Sequence, residues 1–342
     1  MKIINETSFK VEALPGGGPG GKTVLTIIVK GTFDIAPNEM AAVSREQIPV
    51  AFGDEFYDEK QGGSVKFEAD VAPFKPRADI VLVGKGHATG GKLIQVLDVL
   101  LRVGEKKKIL RVFGDRHWDC SSSLFPERAS VPQPFRTMDL TCEKAFGGID
   151  KERGEYCREN PAGQGFISSR AKKVSDGTPL PSLEDPGSLV KTWKDHPRPV
   201  GFGFYGRAWM PRVSYLGTYD EKWRRERSPA PPEDFRFDYY NGAYPDLQVD
   251  GYLKGIEEVE LTNLSPEGTL LFQLPGIQPA CVVTRFLDPL GGEEGGVEHE
   301  EVPLNLDTLC LIPEEKRLFQ VWRGLCPIRD FRALEINAIK IQ

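Results

Sequence analysis

The sequence predicts a mainly β protein of antiparallel sheets, sandwich- or barrel-like, with long ordered loops and one or two short helices. Three observations carry this. Short apolar runs rich in Val, Ile and Thr recur along the chain and suit strands. Glycine and proline are abundant, at 36 and 27 residues, and are spread rather than clustered, which reads as turn punctuation. Helix start and stop signals coincide clearly in only one segment.

The first element is a hairpin. In Ser8–Pro15 (SFKVEALP), Phe9, Val11 and Ala13 alternate with Ser8, Lys10 and Glu12, the mark of a half-buried antiparallel strand. Val24–Ile35 (VLTIIVKGTFDI) follows and is dominated by β-branched residues, which weaken a helix. Between them, Gly16–Thr23 (GGGPGGKT) matches G-x-x-x-x-G-K-[ST], the phosphate-binding loop pattern. That loop needs a buried strand before it and a helix after it, whose free N–H groups face the phosphates. Both flanks here read as strand, and no apolar strand ending in Asp stands out as a magnesium partner. A hairpin with a glycine tip is therefore expected. Lys22 and Thr23 are cofactor-binding candidates only under the alternative, nucleotide-binding reading, and no cofactor is expected otherwise.

Asp79–Asp115 holds three apolar runs, Ile80–Val83, Leu93–Val103 and Ile109–Phe113, separated by turn-rich breaks. A three-stranded meander is the expectation; Leu93–Val103 fits a helix by apolar content, but its flanking turns and neighbouring strands favour β. Residues 150–211 are rich in Gly, Pro, Ser and Asp, yet carry Phe166, Trp193, Phe202, Phe204, Tyr205 and Trp209, so they read as ordered irregular structure laid over the core. Thr218–Arg227 (TYDEKWRRER) predicts a helix, with Thr218 as cap, Glu221 completing a capping box, arginines near its C-terminal end and Pro229 beyond it. After Gly251 the strand candidates are Val259–Leu261, Thr269–Leu274, Ala280–Phe286, Glu298–Leu304, Thr308–Ile312, Leu318–Arg323 and Arg332–Ile341. Thr308–Ile312 and Leu318–Arg323 flank PEEKR as a hairpin, and Gly291–Glu301 reads as a hairpin tip or mobile loop. The organisation expected is one domain over 1–342, divisible into an N-terminal β part (1–149), the irregular segment (150–211) and a C-terminal β part (212–342).

Hydrophobic residues are 39% and charged residues 27%, as in a folded globular chain. A net charge of −6 with no basic stripe argues against nucleic acid as a main partner. No run approaches membrane-span length, and MKIINETSF lacks the apolar stretch of a signal peptide, so no membrane partner and a cytoplasmic location are expected. The six cysteines form no C-x-x-C pair, and Cys281, Cys310 and Cys326 lie in apolar runs as buried thiols.

Chemistry is sparse. The four histidines show no metal-ligand spacing, and no metal site is expected; His87 and His299 read as solvated loop residues. His117, in GDRHWD, could act as a base beside Asp115 or Asp119, but a packed Trp118 and an Arg116 ion pair explain the segment more simply. There is no G-x-S-x-G elbow, and Gly53–Glu59 and Leu183–Pro186 offer carboxylates without a catalytic pattern. No catalytic residue is assigned. Aromatic and Arg side chains between 193 and 240 are the types that dominate interface hot spots, although Trp equally fills cores.

Several segments together resemble a known family. They are VKGTFDI (Val29–Ile35), DVAPFKPRADIVLVGKGHA (Asp70–Ala88), LRVFGDRHW (Leu110–Trp118), EKAFGG (Glu143–Gly148), NPAGQGF (Asn160–Phe166), LPSLEDP (Leu180–Pro186) and GTYDEKW (Gly217–Trp223). In order and spacing they resemble the bacterial domain-of-unknown-function family encoded beside VgrG spike proteins in type VI secretion clusters. The resemblance implies a non-enzymatic adaptor or chaperone whose partners are a secreted effector protein and the VgrG spike. It carries over no catalytic residues. Arg116, Trp118, Phe146, Asn160, Tyr219, Asp220 and Trp223 are the protein-binding candidates it suggests, with a bracing role for the irregular segment as the competing reading. The alternative function is a hydrolase, carboxylate-based or nucleotide-binding through Gly16–Thr23.

Overall fold

The computed structural model describes residues 1–58, 63–121, 127–286, 297–328 and 336–342. Glu59 of Gly53–Glu59, most of Ser121–Phe125, the start of Gly291–Glu301 and the start of Arg332–Ile341 lie outside these residues. The strands that build the main sheets are, in chain order, β1 (Lys2–Asn5), β2 (Lys10–Gly17), β3 (Thr23–Asp34), β4 (Ala42–Val43), β5 (Arg77–Leu82), β6 (Val96–Val103), β7 (Lys106–Phe113), β8 (Leu183–Glu184), β9 (Gln248–Asp250), β10 (Glu258–Thr262), β11 (Thr269–Gln273), β12 (Cys281–Phe286), β13 (Val297–Glu301), β14 (Asn305–Ile312), β15 (Arg317–Pro327) and β16 (Ile336–Ile341). The one α-helix among the described residues is α1 (Glu221–Glu226).

These strands form a seven-stranded sheet in the order β9-β5-β14-β15-β3-β2, with β4 also beside β3. A five-stranded sheet runs β8-β7-β6-β10-β11, and a four-stranded sheet runs β1-β16-β12-β13. The fold is mainly β, and among the described residues none of the sheets closes into a barrel. Pairing is mostly antiparallel, with β5 on β14 and β1 on β16 parallel. Ile27, Val29 and Trp322 of the first sheet, Val99, Leu110 and Leu261 of the second, and Val283 and Ile339 of the third belong to one contiguous core.

The glycine segment is a hairpin tip, as expected. β2 pairs antiparallel with β3 from Lys10↔Lys30 to Gly17↔Thr23, and Pro19–Gly21 makes a short 3-10 turn between them. Gly20 and Gly21 sit at φ +70° and +71°, which a side chain resists. A strand follows Thr23, not a helix, so the phosphate-binding loop lacks the element that would aim N–H groups at a ligand. The β14–β15 hairpin also forms where PEEKR predicts it, with Lys316 in the left-handed region at φ +53°.

The expected meander does not form. β6 and β7 pair with each other, but β5 joins the seven-stranded sheet between β9 and β14. The reason is patterning: Ala78 and Ile80–Leu82 are an unbroken buried run, suited to a strand covered on both faces, whereas β6 and β7 alternate. The helix also begins later than predicted. Asp220, not Thr218, caps it, accepting from the Trp223 N–H at 2.8 Å. Glu221 closes no capping box and instead pairs with Arg224. Residues 150–211 are, as expected, loops and two-residue strands packed on the core.

Candidate functional site

The seven candidate residues divide into two groups. Four are buried and brace the irregular segment. Trp118 is 1% exposed and packs with Ile167, Val174 and Leu180. Its N–H donates to Thr178, and the Leu180 N–H donates to the Arg116 carbonyl, so GDRHW is laced to the chain at 177–180. Arg116 lies over the Phe113 ring at 3.7 Å and forms an ion pair with Glu184. Burial pushes the Glu184 carboxyl up against the opposing pull of that guanidinium. Phe146 packs against Phe166 and His196. Asn160 is fully buried, and its amide donates to the carbonyls of Cys142 and Phe146 at 2.8 and 3.0 Å. The segments EKAFGG and NPAGQGF thus meet as a short parallel pair, Phe146↔Gln164 and Gly147↔Gly165.

A second buried network was not visible in the sequence. Lys30 Nζ donates to Asp70 at 2.7 Å, and Asp70 also accepts from the Ala51 N–H. Lys75 Nζ reaches Asp79 and Thr308 at 2.8 and 2.9 Å. Arg323 bonds Asp307 and the carbonyls of Asp70 and Ala72. Glu68 accepts from both Arg207 and Arg212, and Asp79 from Asn241, Gly242 and Ala243. These pairs clamp residues 51–75 and 207–243 onto the seven-stranded sheet, each charge facing its opposite. Arg212 and Trp209, candidates for an exposed hot spot by residue type, are therefore internal.

The remaining candidates, Tyr219, Asp220 and Trp223, stand together on an exposed arm, 218–234. Its base is closed by the Thr218 N–H and hydroxyl donating to Asp234, which holds that carboxyl below the usual range, and by the Arg236 N–H donating to Tyr215. Tyr219 is 53% exposed and meets the half-buried Trp223 ring edge-on, with centroids 4.6 Å apart. The Trp223 indole N–H donates to Ala230. Beside the arm, a groove of about 840 Å³ separates the glycine tip at Gly17–Thr23 from Arg227, Pro231, Phe235 and Phe237. Residue type could have suggested this arm, but nothing in the sequence distinguishes Trp118, in the core, from Trp223, outside it.

The polar candidates for chemistry are dispersed. His117 meets Ser130, while Asp115 pairs with Lys144 and Asp119 with Arg128, so neither carboxylate faces the imidazole. His87 is not solvated as expected: its ring meets Glu314 at 2.5 Å, with the side chain 12% exposed. His299 is exposed, on β13, with Nδ1 3.0 Å from the Thr284 hydroxyl. Cys281, Cys310 and Cys326 are buried, as expected. Among the described residues, no group of three or more His, Cys, Asp or Glu could hold a metal, and no helix is long and apolar enough to cross a membrane.

No curated protein and no solved structure matches the chain. A family model described as "Uncharacterized protein conserved in bacteria (DUF2169)" matches residues 20–323. That span takes in both buried networks, the exposed arm and the strands from β3 through most of β15. The chain belongs to this family of uncharacterized bacterial proteins.

Proposed function

We propose that the protein is a non-enzymatic adaptor of the bacterial cytoplasm that binds a type VI secretion effector and helps load it onto the VgrG spike. One observation supports this reading above others. Of the segments that carry the resemblance, most are tied up in the two buried networks, while GTYDEKW sits on the exposed arm. Tyr219 and Trp223 offer rigid aromatic surface with a polar handle, and Arg224 and Arg225 lie on the same short helix. Tyr, Trp and Arg are the types enriched at interface hot spots, and the aromatic rings order at little cost in side-chain entropy.

The test is an affinity pull-down of the tagged protein from its native host, read by mass spectrometry. Recovery of a large multidomain protein encoded nearby, with or without a spike protein, is the expected result. Its recovery falls when Tyr219→Ala and Trp223→Ala are combined. A clean pull-down while the neighbouring genes are expressed overturns the proposal.

A further inference from the structure

We propose that β2 is a docking edge, to which an extended segment of the partner adds as a further strand and runs on into the groove beside the glycine tip with an acidic side chain toward Lys22. This rests on the adaptor reading and names its binding mode.

Backbone bonding carries the argument. The Gly18 N–H donates to the Lys22 carbonyl at 2.8 Å, which sets the alternation of the β2–β3 ladder. Gly16, Leu14, Glu12 and Lys10 then face β3, and Val11, Ala13, Pro15 and Gly17 turn their peptide groups the other way. β2 ends the seven-stranded sheet, and among the described residues nothing pairs with those outward groups. Three N–H groups, of Val11, Ala13 and Gly17, and the four carbonyls are therefore spaced as another strand would need them.

β1 and β13 also end their sheet, but neither lines the groove, and two other edges are closed by the chain itself. Beyond the start of β2, the same side of β3 is covered: the Gln47 side chain bonds both the N–H and the carbonyl of Thr32, at 2.8 and 2.9 Å, and the Ser44 N–H also donates to Thr32. The edge of β11 is likewise occupied by 38–41, through Asn38, Glu39 and Ala41. Open edges invite pairing, and covering them is the usual defence. β2 keeps only Pro15 and flanking charges as protection, at the strand that leads into the groove.

The groove states what the added segment carries. It begins at Gly17, where the open edge ends, and is walled by Pro231, Phe235 and Phe237. Its charged lining residues are Lys22, Arg227 and Glu233; the last two pair with each other, which leaves Lys22 without an ion pair among the described residues. An acidic side chain on an otherwise apolar extended segment satisfies it. The sequence offers Lys22 a binding part only under the nucleotide alternative; its position beside the groove gives it one toward a protein segment.

The probe is a fluorescein-labelled peptide that alternates threonine and valine and ends in two glutamates, titrated onto the full chain by anisotropy. Saturable binding is expected, with amide exchange slowed at Val11, Ala13 and Gly17. Binding weakens at least about tenfold for a probe N-methylated on alternate amides and for Ala13→Pro, which deletes an outward donor. Ala13→Pro can also disturb the strand, so Lys22→Glu, on the exposed tip, is the second variant: it weakens the acidic probe and not a lysine-ended one. Absent saturation, equal binding of the methylated probe, or protection at other amides overturns the docking edge. A native partner recovered equally by wild type and both variants also overturns it while leaving the adaptor reading intact. No partner recovered by wild type, with the probe still bound at β2, overturns the adaptor reading alone.

Discussion

Asp70→Asn removes one charge from the clamp beneath the seven-stranded sheet and keeps nearly all of its shape. Lys30 and Asp70 side chains are 3% and 5% exposed, and the ammonium lies 4.1 Å from the centroid of the Phe319 ring. An asparagine oxygen still accepts from the Ala51 N–H, so the chief loss is the counter-charge of a buried ammonium. Breaking a buried pair from one side costs about 3–5 kcal/mol, whereas replacing both members is close to neutral. The unfolding entropy is about 2.1 cal/mol/K per residue, or about 0.7 kcal/mol/K over 342 residues, so Tm falls by about 4–7 °C. Adding Lys30→Met places a flexible apolar chain against Phe319 and recovers most of that loss. Differential scanning calorimetry of wild type, both single variants and the double variant closes the cycle. If the double variant is as unstable as the sum of the singles, the pair is not coupled and the clamp argument fails.

Other outcomes follow from the same geometry. Trp118→Ala empties a buried site and costs about 3–5 kcal/mol, while Trp223→Ala on the arm costs about 1 kcal/mol and shows instead in partner recovery; parallel melts separate them. Gly147→Ala places its Cβ 2.1 Å from the Asn160 carbonyl at a backbone φ of +153°, so it loses about 3 kcal/mol and becomes sensitive to proteolysis between 146 and 165. The bonds from Thr218 depress the Asp234 carboxyl, so the clasp at the base of the arm is intact at neutral pH. Its contribution is present above the unfolded pKa and is lost as pH falls through the lowered folded value. The protection factor of the Thr218 amide, its exchange relative to the intrinsic rate at each pH, should fall only in acid, and Asp234→Ala should abolish that step.

Local pattern alone determined the β2–β3 hairpin, the β14–β15 hairpin, the strand identity of β6 and β7, and the existence of α1. Each rests on alternation, β-branching or turn chemistry within a few consecutive residues, and those act before distant parts of the chain meet. The cap of α1 was missed because Thr218 and Asp220 are both good caps, and Asp234 draws Thr218 away. Which sheet β5 enters was decided by partners more than 150 residues away, β9 and β14. The same is true of the site. Trp118 and Trp223 are one residue type with opposite surroundings, and the edge of β2 is open because no other described segment pairs with it. Polar pairing was equally hidden: Lys30 finds Asp70, and Arg323 finds the carbonyls of Asp70 and Ala72, only when a loop distant in sequence lies against the sheet. Sequence sets what each short segment prefers to be. Burial, pairing and exposure depend on what covers it, and that is a property of the assembled fold.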